Sequence, residues 1–363
     1  MARYTKLRSF WVKHKLGARL KVLIVVVAFV FLITPLRNVV IPGWPHVFRD
    51  LSTIKVARIH VVDLFFYVDR SEYTESCDFV KKRLENVKMP KLDDMPHYSA
   101  EEFLRFASKK KRSLDKDLAA VLNKYQPSLT GREQQMMLFA MLSTTQALSA
   151  FNISYYVSDG TLIGYWRHHG LTPWDDDVDM FIDSEKWPLA RKVLSCLPDL
   201  ELNMGSDYMW KLFHKDAELW QGESFLKFPF IDVFLYRNDS EHVWPLTIWL
   251  KPTIIAPVDW VLPPAQGVFE GWPIAIPRKP VEFLRLEYGS PISDDCYSRT
   301  FMRRERYLVP KEDRSHLPCS VLKDAYPFVS RQRIDQKTNT VLEERVLLSQ
   351  VLSSFNTSYR GVF

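Results

Sequence analysis

The chain has 363 residues, of which 47% are apolar and 25% charged; this excludes wholesale disorder and is enough for one catalytic-sized domain with accessory segments. Its formal charge of +6 comes from residues 1–21, which hold seven Lys or Arg and no Asp or Glu. The rest carries 42 basic against 43 acidic residues, which excludes the basic footprint of a nucleic-acid binder.

The basic tail runs into VLIVVVAFVFLITPL. Val22 to Ile41 reaches the roughly 20 residues a bilayer needs if Lys21 and Arg37 snorkel, and no small-residue cleavage site follows. The pattern predicts an uncleaved transmembrane signal anchor over 22–41, with residues 1–21 cytosolic and everything after 42 lumenal. Three N-x-S/T sequons, at Asn152, Asn238 and Asn356, then fall on the lumenal side. Cys77, Cys196, Cys296 and Cys319 are widely spaced with no C-x-x-C pair, which argues against structural zinc. In an oxidising lumen they leave three disulfide connectivities open, Cys296 with Cys319 closing the shortest loop.

Residues 42–130 read as a stem or accessory region. It opens with the strand-like IHVVDLFFYV and passes through polar, Pro-punctuated sequence. A helix enters at Ser99, with Glu102 completing a capping box and apolar residues at helical spacing from Phe103 to Tyr125. The KKKR inside it, Lys109–Arg112, reads as a solvated face. A second capping box, Thr130 with Glu133, starts REQQMMLFAMLSTTQALSAF, which is apolar on most of its circumference and therefore core. ISYYVS is a strand that delivers the chain to DGTLIGYWRHHGLTPWDDDVDMFID, Asp159–Asp183. Beyond it come a helix SEKWPLARKVLSCL, strands around ELNM and YMWKLFH, the strand FPFIDVFLY, a hairpin ending VFEGWPIAIP, and a helix KPVEFLRLEYG stopped by Gly289. Residues 131–290 thus make the catalytic-sized domain, and 291–363 an extension with one predicted helix, TVLEERVLLSQVLSSF.

Asp177 and Asp179 lie two apart in strand-like sequence, so their side chains share a face and can converge on one cation, while Asp175 and Asp176 fall in the turn before. Asp232, inside FPFIDVFLY, has no basic residue within four positions; a buried carboxylate there must be neutralised, paired or bound to metal. Three carboxylates suit a hard cation, Mg2+ or Mn2+, in the arrangement phosphoryl transfer uses. In DGTLIG, Gly160 and Gly164 permit close backbone approach, and Thr161 offers a hydroxyl and an amide at a helix start, where anions are favoured. Arg167 and His168 follow as candidates to meet phosphate or the leaving group, and Lys211 as a further cation. A bare acidic cluster also fits a solvated turn or a calcium loop, but the EF-hand pattern fails for want of its glycine and closing glutamate.

DGTLIGYWRHHGLTPWDDDVD, FIDVFLY and FEGWPIAIPRKPVEFLRLEYG together resemble the LicD family, which includes bacterial phosphocholine transferases, fukutin and fukutin-related protein. The resemblance implies a mixed α/β nucleotidyltransferase fold of the DNA polymerase β kind, a central mixed sheet with flanking helices. In it the D-x-D pair and a third Asp hold divalent metal, which carries over to Asp177, Asp179 and Asp232. The Gly-Thr of the family's loop becomes Gly160 and Thr161, and Arg167, Trp174 and Asp175 match motif positions. Asp175 or His168 is the candidate for proton removal. The resemblance further implies a Golgi or endoplasmic-reticulum type II membrane protein that transfers a phosphoryl-linked group, phosphocholine or an alditol phosphate, from a CDP-activated donor to a lumenal glycan and releases CMP. The zinc-binding cysteine cluster of fukutin-related protein has no counterpart, and the resemblance does not reach residues 44–130, so the acceptor stays open. The rival readings are a D-x-D nucleotide-sugar glycosyltransferase and a non-catalytic scaffold for other glycan enzymes.

Overall fold

The computed structural model describes residues 63, 66–111, 116–247, 250, 254–288, 295–338 and 340–358. The expected signal anchor and most of IHVVDLFFYV lie outside these residues, and no helix among the described residues is long and apolar enough to cross a membrane.

Helices α1 (Asp78–Leu84), α2 (Ala100–Lys110) and α3 (Lys116–Leu122) come first, the last continuing as a 3-10 turn through Tyr125. Ser99 caps α2 by accepting the Glu102 N–H at 3.3 Å. The one helix expected from Ser99 to Tyr125 is therefore two, and residues 112–115 between them lie outside the described set. At the start of α4 (Gly131–Ala150) both halves of the capping box form: Thr130 Oγ1 accepts the Glu133 N–H, and Glu133 Oε2 accepts the Thr130 N–H at 2.8 Å. Every residue of α4 from Met136 to Leu148 is buried, which is why the helix carries no polar face; it packs against the two long central strands, β4 and β5 below.

The main sheet comprises β1 (Tyr155–Val157), β2 (Asp179–Asp183), β3 (Leu200–Asn203), β4 (Met209–Leu219), β5 (Lys227–Asn238), β6 (His242–Pro245) and β7 (Ala256–Pro257), in the order β1-β2-β5-β4-β3 with β6 on β5 and β7 on β6. The β2–β5 pair is parallel and its neighbours are antiparallel, so the sheet is mixed. Parallel strands buried on both faces read as unbroken apolar runs, and Met180, Phe181 and Ile182 of β2 are all buried, with Phe181 stacked on Phe234 at 5.1 Å. Helix α5 (Asp159–His168) connects β1 to β2, and α6 (Trp187–Ser195) follows β2 and packs on α4 and β3. After the sheet come α7 (Val258–Val261), the hairpin β8 (Ala265–Phe269)–β9 (Trp272–Ile276) and α8 (Pro280–Tyr288).

The extension is more ordered than its sequence indicates. β10 (Asp295–Tyr297) pairs with β13 (His316–Pro318), β11 (Phe301–Met302) with β12 (Tyr307–Leu308), and β14 (Phe328–Asp335), β15 (Thr340–Leu347) and β16 (Gln350–Ser358) form a three-stranded antiparallel sheet. The predicted helix TVLEERVLLSQVLSSF is thus a hairpin. Val341 and Glu343, two apart, are the residues β15 buries, a strand period, and Leu348 and Ser349 reverse the chain with φ of 50° and 66°, a left-handed pair no helix contains.

Two disulfides settle the open connectivity. Cys77, the N-cap of α1, bonds Cys196, the C-cap of α6; Cys296 bonds Cys319. Phe103 of α2, Leu122 of α3 and Tyr125 share one buried cluster with Trp174, Tyr326 and the Cys296–Cys319 pair. The stem residues from Val68 and the extension therefore belong to the same structural unit as the sheet.

Candidate active site

Parallel pairing of β2 with β5 makes Asp179 and Asp232 register partners. The Asp232 N–H donates to the Val178 carbonyl at 2.7 Å, so the ladder reaches one residue before β2 and draws Asp177 alongside. Asp177 itself lies in the segment leading into β2 rather than within the strand, yet it reaches the same point: one carboxylate oxygen from each of Asp177, Asp179 and Asp232 lies within 4.8 Å of the others. Antiparallel pairing on the other edge of β5 sets Lys211 opposite Asp232, with Nζ 2.5 Å from Oδ1 and 3.7 Å from the centre of the Phe230 ring. The cation that the local sequence of Asp232 lacks is thus supplied across the sheet.

The electrostatics are those of crowded carboxylates. Burial, then the charges of Asp159 and Asp232, push Asp179 well above the usual carboxylate range. Burial also raises Asp232, against the pull of Lys211. Asp177 Oδ1 is buried without a hydrogen-bond partner, while Oδ2 pairs with Arg303. Three converging carboxylate oxygens, whose ionised forms burial and neighbouring charge disfavour at Asp179 and burial disfavours at Asp232, fit a hard divalent cation that would offset that charge.

Helix α5 fixes the start of β2. Thr161 Oγ1 accepts the Asp179 N–H at 2.8 Å, which ties the first turn of α5 to the start of β2. Thr161 is buried and is not among the residues lining the cleft, so its hydroxyl positions Asp179 rather than facing a phosphate. A Cβ on Gly160 would sit 2.5 Å from Asp175 Oδ2, and one on Gly164 would sit 2.5 Å from the Gly170 carbonyl; both positions need the close approach that glycine allows.

Asp175, Asp177, Asp179, Asp232, Gly160, Arg167, Trp174 and Lys211 line a single cleft of 1060 Å³. Burial and the neighbouring Asp176 charge push Asp175 up to about 6. Arg167 donates to the Asp295 carbonyl at 2.6 Å, and burial lowers it to about 10; Trp174 Nε1 donates to the Tyr297 carbonyl at 3.0 Å. His168 is set apart from this group. Its imidazole is fully buried between Trp174 and Phe328, its Nδ1 donates to the Pro327 carbonyl at 2.7 Å, and burial lowers it to about 3, so it stays neutral and away from the cleft. Of the two candidates for proton removal, the structure places only Asp175 in the cleft.

The wall opposite comes from the extension: Asp295, Tyr297, Ser298, Arg299, Thr300, Phe301 and Arg303. Asp176 anchors it, accepting the Arg303 N–H at 3.0 Å and meeting the Arg299 guanidinium at 3.4 Å. Sequence reasoning passed over these residues. The available signal was the basic stretch RTFMRRER, complementary in charge to DDDVD some 120 residues earlier.

Residues 152–279 match the family described as LicD/FKTN/FKRP, nucleotidyltransferase domain. The chain is 30% identical over 131 residues to the lipopolysaccharide cholinephosphotransferase LicD of Haemophilus influenzae, covering 32% of this chain and 49% of the relative. It is 44% identical over 109 residues to an uncharacterized protein of Rickettsia typhi, covering 27% and 35%, and 37% identical over 57 residues to one of Rickettsia prowazekii, covering 16% and 21%. The chain thus spans half or less of the length of each of these relatives. The matched region runs from just before β1 to just before α8 and contains Asp177, Asp179, Lys211 and Asp232; it is a nucleotidyltransferase domain of the LicD family.

Proposed function

We propose that this chain is a metal-dependent transferase. It moves a phosphoryl-linked group, such as phosphocholine or an alditol phosphate, from a CDP-activated donor to a hydroxyl of a lumenal glycan and releases CMP. The observation that carries the reading is the convergence of Asp177, Asp179 and Asp232 in the lining of the cleft of a LicD-family domain. A magnesium or manganese ion bound there would offset charge on the transferring phosphate and orient its oxygens.

The chain's own residues supply the remainder. Lys211 holds Asp232 in place, Thr161 holds the backbone of Asp179, and Asp175 faces Gly160 with a carboxyl raised to about 6, suited to accept a proton near neutral pH. In the transfer step the acceptor oxygen bonds to the phosphorus of the small group, the bond from that phosphorus to the CMP oxygen breaks, and the hydroxyl proton passes to Asp175. A cleft of 1060 Å³ has room for a nucleotide and the end of a glycan. The basic tail, the apolar run after it, two disulfides and three exposed sequon asparagines support a single-pass protein with its catalytic domain in the Golgi or endoplasmic-reticulum lumen.

The test is CMP release by the full-length protein from CDP-choline and from a CDP-alditol, with Mg2+ or Mn2+ and with EDTA. Metal-dependent release is expected. Turnover of a UDP-sugar in place of either CDP donor would move the reading to a glycosyltransferase.

A further inference from the structure

Among the described residues four cations line the cleft: Arg167, Lys211, Arg299 and Arg303. Arg167 is engaged by the Asp295 carbonyl, Lys211 by Asp232, and Arg299 by Asp176. Lys211 and Arg303 both pair with members of the carboxylate cluster, Asp232 and Asp177, but Arg303 differs in carrying a forked guanidinium whose buried Nε makes no hydrogen bond. Its backbone is held from several sides: the N–H donates to Asp176, the carbonyl accepts Trp220 Nε1–H at 2.8 Å, and the next residue, Arg304, pairs with Glu133. The turn is therefore fixed, while the carboxylate paired with the guanidinium, which also feels the charges of Asp175, Asp176 and Asp159, is one a bound cation would claim.

Building on the transferase reading, we propose that Arg303 is the donor-phosphate ligand of this site and that it alternates between Asp177 and the phosphate. Asp159, Asp175, Asp177, Asp179 and Asp232 line the same cleft, and so much negative charge repels a phosphorylated donor that one divalent ion offsets only in part. A guanidinium freed from Asp177 presents a fork of N–H donors matched to two phosphate oxygens. Arg303 thereby competes with the cation for Asp177 when no donor is present, and acts with the cation once the phosphate arrives. Arg303 lies outside the matched family region, so the extension completes the site.

The test uses the full-length protein, with Mn2+ alone and then CMP with Mn2+ as probes. Arg303→Met is expected to bind Mn2+ several-fold more tightly than wild type without nucleotide, and to bind CMP in the presence of Mn2+ about tenfold more weakly. Arg303→Lys keeps the charge but not the fork; it should leave Mn2+ affinity near wild type and still weaken CMP, and it decides the matter if the methionine variant does not fold. If wild type binds no CMP with Mn2+, the CDP-donor reading falls, and the Mn2+ comparison alone still reports on the competition. If wild type binds CMP and both variants bind it equally well, or if Arg303→Met binds Mn2+ more weakly, the assignment of Arg303 is overturned.

Discussion

Lys211 and Asp232 face each other across antiparallel β4 and β5, with the ammonium nitrogen 2.5 Å from Oδ1. Both side chains are largely shielded from solvent, at 16% and 6% exposure, so the pair is a buried one, and removing either partner strands the other. Lys211→Met should lower stability by about 2–4 kcal/mol in urea unfolding of the metal-free protein. Mn2+ should restore part of the loss, because it binds the folded chain and returns a positive charge to Asp232. An unchanged midpoint would show that the pair is energetically neutral.

Asp179→Asn separates stability from function. Burial, Asp159 and Asp232 all penalise the ionised form of Asp179, so an amide there relieves repulsion, and the metal-free protein should melt no lower than wild type. CMP release should fall by about 100-fold or more, and Mn2+ affinity with it. Full activity in this variant would remove Asp179 from the site.

Two glycines of α5 should sort in opposite ways. In Gly160→Ala the new Cβ meets the end of the Asp175 side chain, 2.5 Å away, which can yield; stability should hold and activity should drop by about tenfold or more as the carboxylate is displaced. In Gly164→Ala the Cβ meets backbone, the Gly170 carbonyl at 2.5 Å and the Thr172 nitrogen at 3.0 Å, and the cost of about 1–3 kcal/mol falls on folding. Melting temperature and CMP release on both variants check the pair.

His168 gives a pH signature. Burial lowers it from 6.5 to about 3, so below pH 6.5 the unfolded chain takes up a proton that the folded chain refuses. Its contribution to stability is complete above pH 6.5 and is lost as pH falls toward 3, by at most about 1.4 kcal/mol per pH unit. Asp175, Asp179 and Glu287, all raised, carry the opposite sign, so the measurement is a difference. The advantage of wild type over His168→Gln in unfolding free energy should shrink between pH 7 and pH 5. A constant difference would mean that the imidazole is not held neutral.

Asn152, Asn238 and Asn356 are all exposed. If the domain faces the lumen, the protein made in a secretory pathway should lose mass stepwise on glycosidase treatment, and each Asn→Gln change should remove one step. Complete absence of glycan would count against lumenal placement.

The carboxylate cluster was legible because its evidence is local. Asp177 and Asp179 are two residues apart, and Asp232 interrupts an apolar strand whose neighbours could not neutralise it. The direction in which a helical side chain points is not local. His168 follows Arg167, yet one lines the cleft and the other is packed on Phe328 of β14, 160 residues later. TVLEERVLLSQVLSSF has apolar residues that satisfy a helical period, and what makes it a hairpin includes burial of Glu343 against His169 and Arg331, contacts no local pattern encodes. Arg303 was hidden for the same reason: its meaning lies in the carboxylates it meets.

The wall formed by residues 295–303 sets the limits of what can be exchanged between relatives. A chimaera that transplanted only residues 152–279 would carry the three aspartates and Lys211 intact, and would leave behind Arg299, Arg303 and the Cys296–Cys319 clasp beside them. Such a graft would inherit a place for a cation without the wall that faces it. The smallest portable unit of this protein is accordingly larger than its recognisable motif, and swaps between relatives should take their C-terminal junction beyond Cys319.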